Sequence, residues 1–252
     1  MKRIVIITAF VLSSVYEALA QLHQVADNSN GWIMYLGDHK VSDKWGVHLE
    51  AQFRRSEIVS KPQQLLFRPG INYYFNNQVF ATAGYAFIET HPYGKFPVAR
   101  DFSEHRFWEQ IQIKNQLKIV EYISRFRLEQ RYVNSINGAP GNYSEGPTVY
   151  TNRFRLMQRF SVPLKGQKIE DKSLYITAYD EFFINFGKEV KYNIFDQNRA
   201  YIGLGYKLPG VGRLELGYLN QLLMKSDGIR IENNHTLAVT LSSTLDFYRK
   251  KK

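Results

Sequence analysis

Arginine recurs at alternate positions in two nearly identical stretches, Arg125-Phe-Arg-Leu-Glu-Gln-Arg-Tyr132 and Arg153-Phe-Arg-Leu-Met-Gln-Arg-Phe160. A strand sends successive side chains to opposite faces, so each stretch has one guanidinium face and one mostly apolar face. Extending the alternation along the chain puts Arg54, Arg68, Arg106, Arg125, Arg127, Arg131, Arg153, Arg155, Arg159, Arg199 and Arg213 on one side. Glu50, Glu129, Glu181 and Glu215 share it. Guanidiniums offer two chemistries. Paired with carboxylates they form bidentate bridges that fill a narrow space; in excess they attract small anions. Eleven arginines against four glutamates leave an excess of seven positive charges on that face. The first chemistry describes a structural plug, which is the favoured reading. The second describes a conduit or binding cavity for a small anionic solute.

Other chemistry is thin. Ser103-x-His105 has the residue types of a nucleophile and its base, and both side chains could face one way. Such a site also needs hydrogen-bonding reach and a third, orienting group. A lipid-modifying barrel enzyme, phospholipase- or acyltransferase-like, is therefore the alternative function, while the main expectation is no enzyme. His48, His105 and Arg106 are expected to make lumenal hydrogen bonds, with Glu50 as a neighbour. The six histidines show no HExxH or comparable ligand spacing, so no metal is expected. Gly203-Leu-Gly205 precedes no helix, so it is no dinucleotide loop, and no cofactor is expected.

The elements that must position these residues read as strands. Leu237, Val239, Leu241, Leu245 and Phe247 alternate with Thr236, Ala238, Thr240, Ser242, Thr244 and Asp246. Similar alternation runs through 213–224, 198–208, 173–186, the two arginine stretches, 104–117, 79–90, 64–75 and 45–55, with a shorter piece at 32–37. Asp180 and Glu109 fall on the outward phase and Leu66 on the inward one, which implies a bulge or an interfacial position. Tight turns near Asn76, Lys118 and Pro209 contrast with long connections at 91–103, 135–148 and 187–196. An apolar outer face, a polar inner face, and short turns opposite long loops describe a membrane barrel. The expected fold class is all-β, a transmembrane antiparallel up-and-down barrel of about ten strands, with twelve as the alternative. Single-chain bacterial barrels have even strand numbers, so the spanning set runs from Trp45 to Phe247. Trp32–Gly37 is then an extra piece near the mouth or inside.

The ends and the composition give the address. Met1-Lys2-Arg3, an apolar run from Ile4 to Val15 and Ala18-Leu19-Ala20 describe a signal peptide over residues 1–20, leaving 21–252 as one barrel domain. The apolar run is too short to be a spanning helix. The 252 residues include no cysteine, which removes disulfides, thiolate catalysis and a thiol-linked lipid anchor. With 17 Tyr and 17 Phe, the chain has the aromatic supply that strands and interfacial girdles use. The net charge of +10 is spread through the strands without a nucleic-acid-binding motif, so nucleic acid is not an expected partner. Outer-membrane lipid, lipopolysaccharide and the barrel assembly machinery are.

Several pieces, in order, resemble one known family. They are Trp32 with Tyr35-Leu-Gly37, Glu50-Ala-Gln-Phe-Arg54, Leu65-Leu-Phe-Arg-Pro-Gly70, Gly84-Tyr-Ala-Phe87, Glu104-His-Arg-Phe-Trp-Glu-Gln110, Arg127-Leu-Glu-Gln-Arg131 and Asp180-Glu-Phe-Phe183. Together they resemble the bacterial outer-membrane barrels catalogued as domain of unknown function 2490. The resemblance implies an outer-membrane barrel and carries no activity or catalytic residues with it.

Overall fold

The computed structural model describes residues 23–248, which form eleven strands and no helix. They are β1 (Gln24–Lys40), β2 (Trp45–Ser56), β3 (Lys61–Tyr74), β4 (Val79–Thr90), β5 (Phe102–Leu117), β6 (Val120–Ala139), β7 (Asn142–Pro163), β8 (Leu174–Phe186), β9 (Phe195–Leu208), β10 (Gly212–Met224) and β11 (Arg230–Ser243). The expected signal peptide at 1–20 and the tail Lys250, Lys251 and Lys252 lie outside the described residues.

Each strand pairs antiparallel with its neighbours in sequence, and β11 closes the barrel against β1. That closure is parallel, with Gln24 opposite Arg230 and Gly37 opposite Ser243. The piece expected as an appendage at Trp32–Gly37 is therefore part of β1, a 17-residue wall strand whose segment Asp27-Asn-Ser-Asn30 is too polar to stand out as one. An odd number of up-and-down strands forces one parallel seam, and the even count fails because it required both chain ends on one side. Here the chain enters β1 at the end of the long connections and leaves β11 at the opposite end.

Turns at 41–44, 75–78, 118–119 and 209–211 lie at this second end, together with the longer connection 164–173. The connections 57–60, 91–101, 187–194 and 225–229 lie at the first. The stretch expected as a loop at 135–148 is mostly strand. β6 and β7 run on as a hairpin to Ala139 and Asn142, across a register shift between Asn134 and Ile136. Gly138 and Gly141 adopt φ of 106° and 88° at its tip, the left-handed region that a side chain disfavours.

Polarity is inverted relative to an ordinary sandwich. Inward positions hold charged and amide side chains with a few aromatics, whereas Ile33, Phe67, Ile71, Phe107, Ile202 and Leu216 stand exposed outside. Leu66 is inward, packed with Ala86, Ile88 and Trp108. Asp180 and Glu109 are outward, and neither adjoins a register shift. Each has an amide partner on the next strand instead: Asn198 donates to Asp180 at 2.5 Å, and Gln130 to Glu109 at 3.1 Å. The last strand ends at Ser243, short of the expected Phe247. Beyond it the Phe247 N–H reaches the Lys40 carbonyl at 2.9 Å, and its ring packs on His39.

Candidate functional site in the barrel interior

The two arginine stretches fall on adjacent strands in a register that sets Arg127 opposite Arg155 and Glu129 opposite Arg153. Glu129 becomes the hub of the interior. Arg153 reaches it at 2.6 Å, Arg155 at 2.8 Å, Arg68 at 3.2 Å and Arg106 at 3.6 Å. The other carboxylates extend the network. Glu50 takes Arg68 at 2.7 Å; Glu181 takes Arg125 and Arg155, each at 2.8 Å. Glu104 holds Arg106 at 2.6 Å and Arg131 at 2.5 Å. Arg159 bonds Glu215, which also accepts the Tyr175 hydroxyl at 2.5 Å. Arg213 bonds Glu121 at 2.5 Å. Charges removed from water in this way are tolerated only because each finds opposite charge and hydrogen bonds.

Three arginines are supported differently. Arg54 donates to Gln52 and Gln64, and its guanidinium lies 4.0 Å from the Trp32 ring centre. Arg199 donates to Gln197 and lies between the rings of Trp32, at 5.1 Å, and Phe183, at 4.8 Å. Arg127 spends Nε and Nη2 on Gln110 and sits 4.7 Å from the Trp108 ring centre. Its Nη1 has no hydrogen-bond partner among the described residues, with Glu50 at 3.8 Å.

Two bulges thicken the polar filling. Arg54 pairs with Gln64 and Arg55 with Pro62, so Gln63 is the extra residue. Both glutamines then work inside, Gln63 accepting the Trp32 indole N–H at 2.8 Å while Gln64 serves Arg54. Asp196 is likewise the extra residue between Phe195 and Gln197, and it bonds Arg153 at 2.6 Å. A bulge breaks the two-residue period and lets consecutive side chains share a face.

The half of the interior toward the long connections is filled. Glu104, Arg106, Glu129, Arg153, Asn185, Asp196, Glu232 and Asn234 are all buried there. The connection 91–101 folds over this end: Tyr93 donates to Glu232 at 2.7 Å, and Lys225 pairs with the same carboxylate at 2.6 Å. Burial, reinforced by that carboxylate, pushes the Tyr93 hydroxyl above its ordinary range. The other half holds a cavity of ≈ 560 Å³ that runs to the opposite rim, where Gln78, Gln116, Gly212 and Thr244 line it. Its walls carry Arg125, Arg127, Arg155, Arg159, Arg199 and Arg213 with Lys114 and Lys207, against Asp38, Glu50, Glu121, Glu181 and Glu215.

The eleven arginines and four glutamates singled out from sequence thus all lie in this network or in its aromatic supports. Five acids that the sequence reading left out of the lumenal set, Asp38, Glu104, Glu121, Asp196 and Glu232, join them, so the excess of seven positive charges shrinks. Asp38 was hidden in β1, Asp196 by its bulge, and the other three by their places near strand ends. His48 is inside, its Nδ1 2.8 Å from Asp38 and its Nε2 3.6 Å from Glu50. His105 is outward, 2.5 Å from the Tyr85 hydroxyl, and Ser103 accepts from Asn134 at 2.9 Å. The Ser-x-His pair is thus engaged with other partners. At the filled end, Glu89, His91 and Asp101 bring ligand atoms within 4.8 Å of one another, a grouping that sequence spacing does not announce. His91 and Asp101 already pair at 3.1 Å.

No solved structure matches this chain. It is similar to an uncharacterized protein of Methylorubrum extorquens, 29% identical over 200 residues, which cover 76% of this chain and 77% of that one. The model of a protein family of unknown function, DUF2490, matches residues 29–232. The chain belongs to this family.

Proposed function

We propose that the protein is an integral outer-membrane barrel that does not conduct, and that offers a cationic cup to small anionic solutes from its short-turn, periplasmic end. The observation that carries this reading is the inverted polarity. Arg68, Arg127 and Glu129 are 0–2% exposed inside, while Phe107, Ile202 and Ile71 are 54–59% exposed outside. In water such a surface invites aggregation, and in lipid it is the favoured arrangement. The inner arginines would cost about 2–4 kcal/mol each if they faced lipid at mid-membrane, so their inward placement suits a spanning wall. The ion-pair filling of one half supports a plug. The cavity in the other half, with more cations than acids on its walls, supports anion binding rather than passage.

Outer-membrane lipid and lipopolysaccharide would meet the apolar belt, and the barrel assembly machinery would insert the exported chain. Reconstitution into planar bilayers tests the reading. Closed barrels give no steady conductance, and any leak prefers anions. Large cation-selective channels overturn it, as does recovery of the native chain as a water-soluble periplasmic protein.

A further inference from the structure

The cup is two-sided. β1 stands opposite β6 across the eleven-strand ring, so Trp32, Met34 and Leu36 face the wall that carries Arg125 and Arg127. The apolar side is continuous: Trp32, Met34 and Tyr201 pack with Leu219 and Ala238, and Tyr179 stacks on Tyr201 with ring centres 4.8 Å apart. On the cationic side, Arg127 Nη1, Arg125 Nε and Arg159 Nε are buried donors without partners among the described residues. The Tyr201 ring lines the same space, its unpartnered hydroxyl buried over Gly203 and Gly217 of the wall. Buried donors of this kind are costly unless something accepts from them. An inorganic ion would satisfy the donors and leave the aromatic and thioether wall without use. An uncharged apolar molecule would do the reverse.

We propose that the cup takes an amphipathic organic anion, an aromatic or short apolar body bearing one carboxylate-type group. The carboxylate accepts from Arg127 and its neighbours, and the body lies against Met34, Leu36 and Tyr201. The volume of ≈ 560 Å³ falls within the range of small-molecule sites, so one such molecule fits with its solvent. Arg127 is the anchor because it is fully buried, is held rigidly by Gln110 and Trp108, and has one nitrogen that makes no hydrogen bond, its nearest carboxylate being Glu50 at 3.8 Å. This inference rests on the cup reading above and names the class of molecule that the cup accepts.

The test is calorimetric titration of the folded barrel, held in a neutral detergent, with 1-naphthoate, 1-naphthamide and inorganic phosphate. Naphthoate should bind about tenfold more tightly than either of the others, the difference made by one charge-assisted bond or one buried ring. Arg127→Gln should weaken naphthoate roughly fivefold or more, and Met34→Gln should lower the preference for naphthoate over phosphate. Gel mobility before and after boiling reports whether each variant folds. If Arg127→Gln does not fold, Arg127→Lys replaces it, keeping the charge while losing the planar fork, and should weaken naphthoate. Equal binding of naphthoate and phosphate overturns the amphipathic ligand and leaves the anion cup standing. Equal binding of naphthoate and naphthamide overturns the anchoring role of Arg127. Binding of neither anion overturns both this inference and the cup.

Discussion

Glu129 is the position at which the interior is most exposed to test. It is fully buried, and four guanidiniums lie within 3.6 Å of its oxygens. Glu129→Gln keeps the shape and one acceptor, removes the charge, and turns an amide N–H₂ toward the arginines. Breaking a buried pair by removing one partner costs about 3–5 kcal/mol, because the surviving charge is left uncompensated. With four survivors around one site, the upper part of that range is expected. Urea unfolding in lipid vesicles, followed by tryptophan emission, reads the change. A urea slope of about 1–3 kcal/mol per molar converts the loss into a midpoint lower by about 2 M. Adding Arg68→Met to Glu129→Gln should recover part of the loss, since one stranded charge goes with it. Glu57→Gln in the exposed turn pair with Lys61 should leave the midpoint unchanged. A shift below about 0.5 M for Glu129→Gln at unchanged slope would refute the hub and, with it, the plug.

Three further outcomes follow from the geometry. The chain has no cysteine, so Ile33→Cys with Val239→Cys, partners across the parallel seam, should crosslink on oxidation and shift gel mobility; no crosslink sinks the eleven-strand closure. Tyr93→Phe removes the bond to Glu232 and should weaken the cover formed by 91–101 by about 1 kcal/mol, seen as faster proteolysis or hydrogen exchange in that segment alone. At Asp227, burial that would raise the carboxyl is outweighed by the backbone N–H groups of Arg230 and Ile229, and the net effect lowers it to about 2. A lowered carboxyl stabilises above its unfolded value of 3.8 and loses that contribution as pH falls toward 2. Asp227→Asn should therefore speed exchange in the 225–229 turn at neutral pH and match the parent near pH 2, whereas a difference that persists there contradicts the assignment.

Much of the wall was legible because its period is strict. From Leu237 to Leu241 and from Arg125 to Arg131, every second residue changes character, so face and strand follow together. The sequence was silent where that period breaks or where polarity hides it. Gln63 and Asp196 are extra residues in bulges, and nothing local distinguishes them from loop polar residues. Residues 27–30 of β1 are all polar because its outward side chains there, Asp27 and Ser29, sit toward the long-connection rim, and so no alternation marks the seam strand before Trp32. The network itself was beyond reach for another reason. Alternation says that Glu129 is inward, but only the register of four strands brings Arg68, Arg106, Arg153 and Arg155 to it.

The repeat that first marks the chain also explains where the proposed anchor, Arg127, comes from. Two copies of one arginine pattern on adjacent strands put Arg127 and Arg155 side by side, and like charges directly opposite are unfavourable. The two resolve the conflict unequally. Arg155 takes both available carboxylates, Glu129 and Glu181, with all three of its donor nitrogens engaged. Arg127 turns to Gln110 and the Trp108 ring, and its Nη1 is left buried without a hydrogen bond beside the cavity, with Glu50 3.8 Å away. A barrel selected only for a stable filling would have placed an acid or an apolar residue at 127, since replacing buried charge by well-packed apolar volume is often neutral or stabilising. Local rules are broken most often where function requires it. The strain of two facing arginines is what leaves Arg127 both rigid and unsatisfied, and those are the two properties that a buried anion site needs.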